Sequence, residues 1–233
     1  MSHVPLIFIP GLLCDSLLWA SQIAALSDIA DCWVASPTGA DTMETLAADL
    51  LERSPFAEFA LAGLSMGGYV ALEIMRQAPA RVLKLALLDT SARMDTPEQS
   101  ERRRALIDLA QHGRFAEVTQ VLLPALVNRA RSYDPQIVGT IRAMARNVGK
   151  EAFYRQESAI IRRIDSRTHL AAIRCPTVVL CGHQDAITTP LLHQELASGI
   201  DGAKLVVIKD CGHLSTIEQP EEVNVALRAW LTE

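Results

Sequence analysis

Short apolar runs of strand length recur along this chain and alternate with amphipathic stretches of helical length. Five of the runs are mostly continuous in apolar residues, which is typical of strands buried on both faces of a parallel sheet. They cover residues 5–9, 59–62, 82–88, 177–180 and 205–208. Because helical stretches separate them, the pattern predicts an α/β fold in which helices flank a mostly parallel sheet.

Helix-start signals accompany several of the amphipathic stretches. Asp, Ser and Thr side chains cap the first free N–H groups of a helix, and proline suits its first turn. Residues 17–26 follow Asp15 and Ser16, residues 43–51 follow Thr42, residues 67–77 end before Pro79, and residues 221–231 follow Pro220. These stretches are predicted to be the helices that flank the sheet.

The strand pattern stops between residues 92 and 170, where only helical patterns remain. They cover 101–111, ended by Gly113; 115–122, bent or ended by Pro124; a helix from Pro135, after Asp134, to Gly149; and 152–164. We interpret this stretch as a helical cap inserted after the strand that ends near Asp89. The predicted domains are a core of residues 1–91 and 171–233 and a cap of residues 92–170.

The overall composition excludes several classes of protein. With 49% hydrophobic and 21% charged residues, the 233-residue chain has the composition of a folded globular protein rather than a disordered one. A net charge of −5 and only 5% aromatic residues argue against nucleic acid as a partner. No apolar run approaches the roughly 18 residues that span a bilayer, so we expect no membrane partner either.

The cysteines and the N-terminal run bear on the compartment. The five cysteines include no Cys-x-x-Cys pair, so they predict neither a disulfide framework nor a zinc site, and each is interpreted as a small core residue. They are Cys14, Cys32, Cys175, Cys181 and Cys211. The apolar start lacks a cationic region and a small-residue cleavage site. These features together predict a cytoplasmic protein.

Charge is distributed unevenly between the two predicted domains. Residues 92–170 contain thirteen Arg and one Lys against nine acidic residues, whereas the rest of the chain is acidic. One interpretation is that a basic cap guides an anionic small-molecule substrate into a cleft. The other is that arginines such as those at 102–104 and 162–163 form solvated helix faces that also bridge to the core.

The strongest chemical signal is the segment Gly63-Leu64-Ser65-Met66-Gly67-Gly68, which follows a predicted strand and opens a predicted helix. This is the context of a nucleophile elbow, a sharp turn that lifts a serine hydroxyl above the end of a sheet. Glycines two positions before and after the serine remove side chains that would clash in so tight a turn. Ser65 is therefore the candidate nucleophile.

Two later loops carry suitable partners for that serine. Asp185 follows the strand at 177–180, and His213 follows the strand at 205–208. Because the carboxyl ends of parallel strands meet at one edge of a sheet, the three side chains are predicted to converge. A histidine can accept the proton of a serine hydroxyl, and a carboxylate holds the correct tautomer of the ring and stabilises its charged form.

Three other histidines indicate no metal site. His183 lies two positions from Asp185 but has no third ligand at metal-binding spacing. His112 and His169 are interpreted as helix-end or surface residues. We therefore expect no metal. No cofactor is expected either, because a serine activated by a histidine and a carboxylate needs none.

These motifs together resemble the small, capped enzymes of the α/β-hydrolase fold, and the resemblance covers nearly the whole chain. It is most specific at residues 63–68, at Gly182 to Asp185 followed by Thr189-Pro190, and at Cys211-Gly212-His213 with Glu218-Gln219-Pro220 behind it. The resemblance implies Ser65 as nucleophile, Asp185 as acid and His213 as base. Some relatives place the acid after the earlier strand, which makes Asp89 the alternative.

The resemblance also implies an oxyanion hole of two backbone N–H groups. Met66, directly after the nucleophile, would supply one, and the loop after the first strand would supply the other. Many relatives have His-Gly where this chain has Pro10-Gly11, and alignment on the glycine makes Leu12 the second donor. Pro10 itself has no N–H to give.

The function implied is a serine hydrolase that cleaves a carboxylic ester through an acyl-enzyme. An enol-lactone, a thioester or a carbon–carbon bond next to a carbonyl are alternative substrates within the same fold. A haloperoxidase-like or acyl-transfer activity without a cofactor also stays open. So does a different class, a receptor or regulator that binds a small ligand under the cap and turns it over slowly or not at all.

Overall fold

A computed structural model of the chain describes residues 3–233, in which the strands form one parallel sheet. The strands are β1 (Val4–Ile9), β2 (Ala30–Val34), β3 (Phe59–Leu64), β4 (Val82–Leu88), β5 (Thr177–Gly182) and β6 (Lys204–Ile208). They lie in the order β2-β1-β3-β4-β5-β6. The predicted α/β class and parallel sheet are confirmed.

One strand, β2, lies outside the five predicted runs. Its sequence is Ala-Asp-Cys-Trp-Val, and only its first residue is fully buried. β2 pairs with β1 alone, at one edge of the sheet. An edge strand needs less apolar surface than a central one, so the continuous apolar pattern that identifies the other strands is absent here.

The helices begin largely where the capping signals predict. They are α1 (Ala20–Leu26), α2 (Met43–Arg53), α3 (Met66–Gln77), α4 (Pro97–Leu109), α5 (Phe115–Leu126), α6 (Pro135–Arg162), α7 (Pro190–Gly199), α8 (Ser215–Glu218) and α9 (Pro220–Thr232). Thr42 accepts a hydrogen bond from the N–H of Thr45 at 3.2 Å, and Asp134 accepts one from Gln136 at 3.0 Å. α7 was not among the predicted helices, although proline occupies its first turn.

Helices and no strand occupy the described residues between β4 and β5, as the pattern predicts. α4 begins at Pro97 rather than at 101, because Thr96 and Gln99 form a reciprocal capping box. Gly113 has a φ of 79° in the turn between α4 and α5, and α5 continues past Pro124 to Leu126. At Gly149 the backbone leaves helical geometry, with φ 76° and ψ 167°, so α6 is kinked where a helix end was predicted. Residues 92–170 are called the cap segment below.

The core has one apolar layer on each face of the sheet and a smaller cluster in the cap segment. α2, α3 and α7 pack on one face, and α1 and α9 pack on the other, where Phe8 stacks on Trp19 with ring centroids 4.5 Å apart. The third cluster joins Leu13, from the loop after β1, to buried residues of the cap segment such as Val118 and Phe153. None of the helices within residues 3–233 combines the length and the apolar run that a bilayer crossing needs.

Candidate active site

Ser65 occupies the sharp turn between β3 and α3. Its φ of 56° and ψ of −116° lie in the left-handed half of the backbone map, where a non-glycine residue is strained by about 1–3 kcal/mol. The turn is fixed by the N–H of Ser65, which donates to the carbonyl of Leu88 at 2.9 Å. A Cβ on Gly63 would lie 2.3 Å from the carbonyl oxygen of Gly67, and one on Gly67 would lie 2.1 Å from that of Ile9. Both positions therefore require glycine.

The structure brings Ser65, His213 and Asp185 into one chain of hydrogen bonds. Nε2 of His213 lies 2.9 Å from the Ser65 hydroxyl, and Nδ1 lies 2.8 Å from Oδ2 of Asp185. His213 is 1% exposed and Asp185 is 3% exposed, whereas Ser65 is partly exposed. Because Nδ1–H donates to the carboxylate, Nε2 carries the lone pair that faces the hydroxyl.

The carboxyl group of Asp185 is held by several donors besides His213. Its Oδ1 accepts from the N–H groups of Ile187 at 2.8 Å and Thr188 at 2.9 Å, and its Oδ2 accepts from the Thr188 hydroxyl at 2.7 Å. Burial by itself would raise the pKa of Asp185, but the positive charge of His213 and these hydrogen bonds lower it overall. Asp185 is therefore an ionised carboxylate that faces the ring.

The pKa of His213 is raised above its ordinary value. Burial disfavours the charged ring and acts to lower the pKa, but the charge and hydrogen bond of Asp185 act in the opposite direction and prevail. The resulting ring is a stronger base than a free histidine. It faces the one hydroxyl that the elbow lifts out of the sheet.

The two N–H groups expected to form an oxyanion hole lie beside this serine. Met66 begins α3 directly after Ser65, and Leu12 lies in the loop after β1. Leu12 lines the same cavity as Ser65 and His213. Neither N–H donates to a backbone carbonyl within residues 3–233. Both are therefore available to an oxygen atom bound next to Ser65.

Asp89, the alternative acid, does not bond to the ring of His213. Its Oδ1 accepts from the N–H of Gly182 at 3.0 Å, and its Oδ2 accepts from the hydroxyl and the N–H of Ser215. Burial, and then the neighbouring Asp185 charge, raise the pKa of Asp89. Asp89 thus joins the end of β5 to the residues that follow His213.

Two further buried residues near the site were not identified from the sequence. Nε2 of His193 accepts from the N–H of Thr90 at 2.9 Å, and its Nδ1–H donates to the carbonyl of Thr189 at 3.1 Å. Glu218 accepts from the N–H of Gly212 at 3.0 Å and from that of Asn128 at 2.7 Å. The sequence did not predict the helix that carries His193. It identified Glu218 only as part of a motif typical of the family, and that motif does not indicate the buried hydrogen bonds that Glu218 makes.

Three potential ligand atoms, one each from Asp89, Asp185 and His193, lie within 4.8 Å of one another. Their existing bonds do not suit a metal. Nε2 of His193 accepts from a backbone N–H and so has no lone pair to offer, and both oxygens of each carboxylate accept bonds from the protein. His183, His112 and His169 are all exposed.

A cavity of about 670 Å³ opens above Ser65 and lies between the sheet and the cap segment. Its floor includes Gly11, Leu12 and His213. Side chains of the cap segment line much of the rest: Gln99, Arg102, Arg103, Ala105, Leu106, Leu109, Thr119, Val121, Leu122, Ala125, Leu126, Ile141, Ala145 and Ile160. The wall is mainly apolar, with a volume suited to a small or medium organic molecule.

Many arginines of the cap segment are held in ion pairs. Arg103 pairs with Asp95 at 2.7 Å and with Glu157 at 2.9 Å, both of which are buried. Arg162 pairs with Asp41 of the core at 2.7 Å. Arg102 differs because it is exposed on the cavity wall. The bridging interpretation thus holds for several arginines, while Arg102 stands where it can meet a substrate.

The five cysteines are free thiols, and three of them are buried. Cys14 lines the cavity, but burial raises the pKa of its thiol to about 12, so it is not ionised at neutral pH. Burial likewise raises the pKa of Cys181 to about 12. Ser65 therefore remains the candidate nucleophile of the cavity.

One family model and several known proteins match most of this chain. The family model described as the alpha/beta hydrolase family matches residues 6–226. A solved thermophilic esterase from Thermogutta terrifontis, with malate bound, superposes with a TM-score of 0.90 at 32% identity, over 99% of this chain and 90% of that one. The enol-lactonase from Burkholderia xenovorans superposes at 0.89 with 27% identity, over 100% and 93% of the two chains.

Among curated relatives, a putative non-heme bromoperoxidase of Mycobacterium tuberculosis is 27% identical over 203 residues. The match covers 80% of this chain and 74% of the relative. The two solved structures match nearly the whole of this chain.

Proposed function

This chain belongs to the alpha/beta hydrolase family, and on that premise we propose that it is a serine hydrolase that cleaves carboxylic esters through an acyl-enzyme. One observation carries the proposal above all. The hydroxyl of Ser65, a residue with a strained backbone, lies 2.9 Å from Nε2 of the buried His213. Nδ1 of the same ring donates to the Asp185 carboxylate at 2.8 Å. This arrangement activates a hydroxyl that is otherwise a poor nucleophile.

The proposed reaction proceeds in two halves. Nε2 of His213 takes the proton of Ser65 as Oγ bonds to the carbonyl carbon of the ester. The N–H groups of Leu12 and Met66 stabilise the oxyanion of the tetrahedral intermediate, and the alcohol leaves with the proton from Nε2. Water then attacks the acyl-enzyme with His213 again as base, and the acid departs from a regenerated Ser65 hydroxyl. Asp185 stays ionised throughout and stabilises the imidazolium.

The division into core and cap follows from the same proposal. Residues 1–91 and 171–233 would supply the nucleophile, base and acid, and residues 92–170 would supply the walls that select the substrate. The apolar wall and the volume of about 670 Å³ support a small or medium acyl chain as the preferred group. Arg102 at the wall supports a preference for a substrate with an anionic group.

An enol-lactone is the second candidate substrate. The similarity to the solved enol-lactonase, at 27% identity over the whole chain, favours it specifically. A lactone is an internal ester, so Ser65 would open it by the same steps and the alcohol would remain attached to the acyl group. A panel of linear esters and lactones would rank the two.

The decisive test is turnover of short p-nitrophenyl esters by the wild type and by Ser65→Ala. We expect kcat to fall by at least about 10³-fold in the variant, because no nucleophile remains. A fluorophosphonate probe should label the wild type at Ser65 and leave the variant unlabelled. Equal inertness of both proteins towards esters and lactones, with a small ligand still raising the Tm, would overturn the proposal and favour the binding protein instead.

A further inference from the structure

The amide of Gln156, on α6 of the cap segment, joins two loops of the core. Its Oε1 accepts from the N–H of Leu13 at 3.1 Å, and its Nε2 donates to the carbonyl of Pro37 at 3.1 Å. The side chain is 0% exposed. An N–H must meet an oxygen and a carbonyl must meet an NH₂ group, so these two partners fix the orientation of the amide.

Leu13 belongs to the tight turn that contains the proposed oxyanion donor. The N–H of Cys14 donates to the carbonyl of Gly11 at 3.1 Å, which closes the turn around Leu12 and Leu13. Leu13 has a φ of 58°, in the left-handed region that a leucine rarely adopts. A contact from outside the turn is therefore needed to hold this conformation.

The cap segment holds Leu13 through its side chain as well. That side chain is 6% exposed and packs with Val118, Ala145 and Phe153 in the apolar cluster of the cap segment. The Gln156 amide therefore holds the backbone of this turn at the Leu13 N–H, and apolar packing holds the Leu13 side chain. Gln156 does not line the cavity, so it acts through the turn and not on the substrate.

We propose that Gln156 is a positioning residue that holds the N–H of Leu12 in the geometry of the oxyanion hole. This inference rests on the proposed function and assigns part of its catalytic geometry to the cap segment. When the Leu13 N–H loses its acceptor, the Leu12–Leu13 turn is free to relax, and the adjacent Leu12 N–H turns away from the oxyanion. The oxyanion hole stabilises the transition state and not the bound ester, so a displaced Leu12 N–H lowers kcat and leaves the affinity for the ester unchanged.

The test compares Gln156→Met and Gln156→Glu with the wild type on a p-nitrophenyl ester. Met keeps the length of the side chain but removes both bonds, and we expect kcat to fall about 10- to 100-fold with KM within about threefold. In this buried position Glu is held in its protonated form, which keeps an oxygen acceptor for the Leu13 N–H and an O–H donor for the Pro37 carbonyl, so its kcat should recover most of that loss. A trifluoromethyl ketone, whose adduct with Ser65 carries an oxyanion, should bind Gln156→Met about tenfold more weakly or worse.

Arg155→Met is the matched control. Arg155 is the neighbouring residue of α6, and its Nε donates to the carbonyl of Thr38 at 2.7 Å, so it ties the same helix to the loop of Pro37 without touching the Leu13 turn. We expect its kcat and ketone affinity to stay within about threefold of the wild type.

Two results would overturn the inference. In the first, Gln156→Met lowers the Tm but leaves kcat and ketone affinity at the level of Arg155→Met, which is the behaviour of a purely structural residue. In the second, the Tm of Gln156→Glu shows that the variant is folded, yet its kcat is as low as that of Gln156→Met. Absence of ester and lactone turnover in the wild type is a distinct result, because it removes the proposed function and this inference together.

Discussion

At the scale of single residues, two opposing influences set the proton affinity of His213. Burial favours the neutral ring, whereas the Asp185 carboxylate at 2.8 Å favours the charged one and prevails. Asp89 and Glu218 add smaller contributions with the same sign as Asp185. The ring is therefore protonated up to a higher pH than a free histidine with its pKa of 6.5.

Asp185→Asn should reveal this balance in the pH profile of kcat/KM. Only the neutral ring accepts the Ser65 proton, so activity appears as the pH rises through the pKa of His213, above 6.5 in the wild type. Removal of the carboxylate leaves burial dominant, so the acid limb should move to lower pH. The maximal kcat should also fall by about 10²- to 10⁴-fold, because the ring loses its orientation and its stabilising charge.

Asp89→Asn is the companion variant. Asp89 does not bond to the His213 ring, so the kcat of Asp89→Asn should stay within about tenfold of the wild-type value. The acid limb of its kcat/KM profile should stay close to the wild-type position. A larger kcat loss or a larger shift of the limb in Asp89→Asn than in Asp185→Asn would assign the acid to Asp89.

The residues that sequence patterns identified differ physically from those they missed. Ser65 is flanked by glycines that only a crowded turn requires, and Asp185 and His213 each follow a strand with a continuous apolar run, so a local sequence pattern indicates all three. Gln156 and His193 act through long-range hydrogen bonds made by side chains on helices. A bond of that kind imposes no spacing on the sequence, so no local pattern reports it.

At the scale of secondary-structure elements, the strands with continuous apolar runs were predictable, including β6 at one edge of the sheet, whereas β2 at the other edge was not. The five predicted strands are those with continuous apolar runs, and β2 escaped because a half-exposed edge strand needs no such run. Helix starts with a capping side chain, such as Thr42 and Asp134, fall at the expected positions. At Gly149 the sequence predicted a helix end, whereas α6 continues through a kink there, so the position of the backbone change was predicted and its kind was not.

The kink offers a test at this scale. Gly149→Ala should lower the free energy of unfolding by about 1–3 kcal/mol, because a φ of 76° with a ψ of 167° is accessible to glycine alone. The added methyl group meets no atom within 4 Å, so the loss would come from backbone strain. Thermal unfolding should show a Tm several degrees lower.

Gly139→Ala, in the same helix, is the control for that change. Gly139 has no positive φ, and a methyl group there also meets nothing within 4 Å. Alanine should therefore stabilise the helix by roughly 0.5–1 kcal/mol. Equal effects at positions 139 and 149 would show that the backbone at Gly149 relaxes into a regular helix.

At the scale of the whole molecule, an acidic core faces a basic cap segment across the cavity. At physiological salt, charges act over about 8 Å, so the net charge of −5 matters less to a bound substrate than the arginines on the cavity wall. Arg103 is neutralised by two buried carboxylates. Arg102, in contrast to Arg103, has an exposed side chain on the cavity wall.

Arg102→Met should therefore change the preference for substrate charge. We expect kcat/KM to fall about three- to tenfold for a half-ester of a dicarboxylic acid and to stay unchanged for its neutral methyl ester. Arg104→Met, on the same helix but away from the cavity wall, should change neither value. An equal loss on both esters would show that Arg102 shapes the wall instead of attracting an anion.

The contacts that attach the cap segment to the sheet determine which of its residues can be mutated to change substrate selectivity. The turn after β1 is bonded to α6 through Gln156, and the loop of His213 is bonded to the end of α5, where the carbonyl of Leu126 accepts from the N–H groups of His213 and Leu214. Ala105, Val121 and Ala125 line the cavity and belong to none of the three apolar clusters. A mutant library restricted to those three codons should yield clones with altered acyl-length selectivity at undiminished turnover, so diversification of this scaffold need not erode its chemistry.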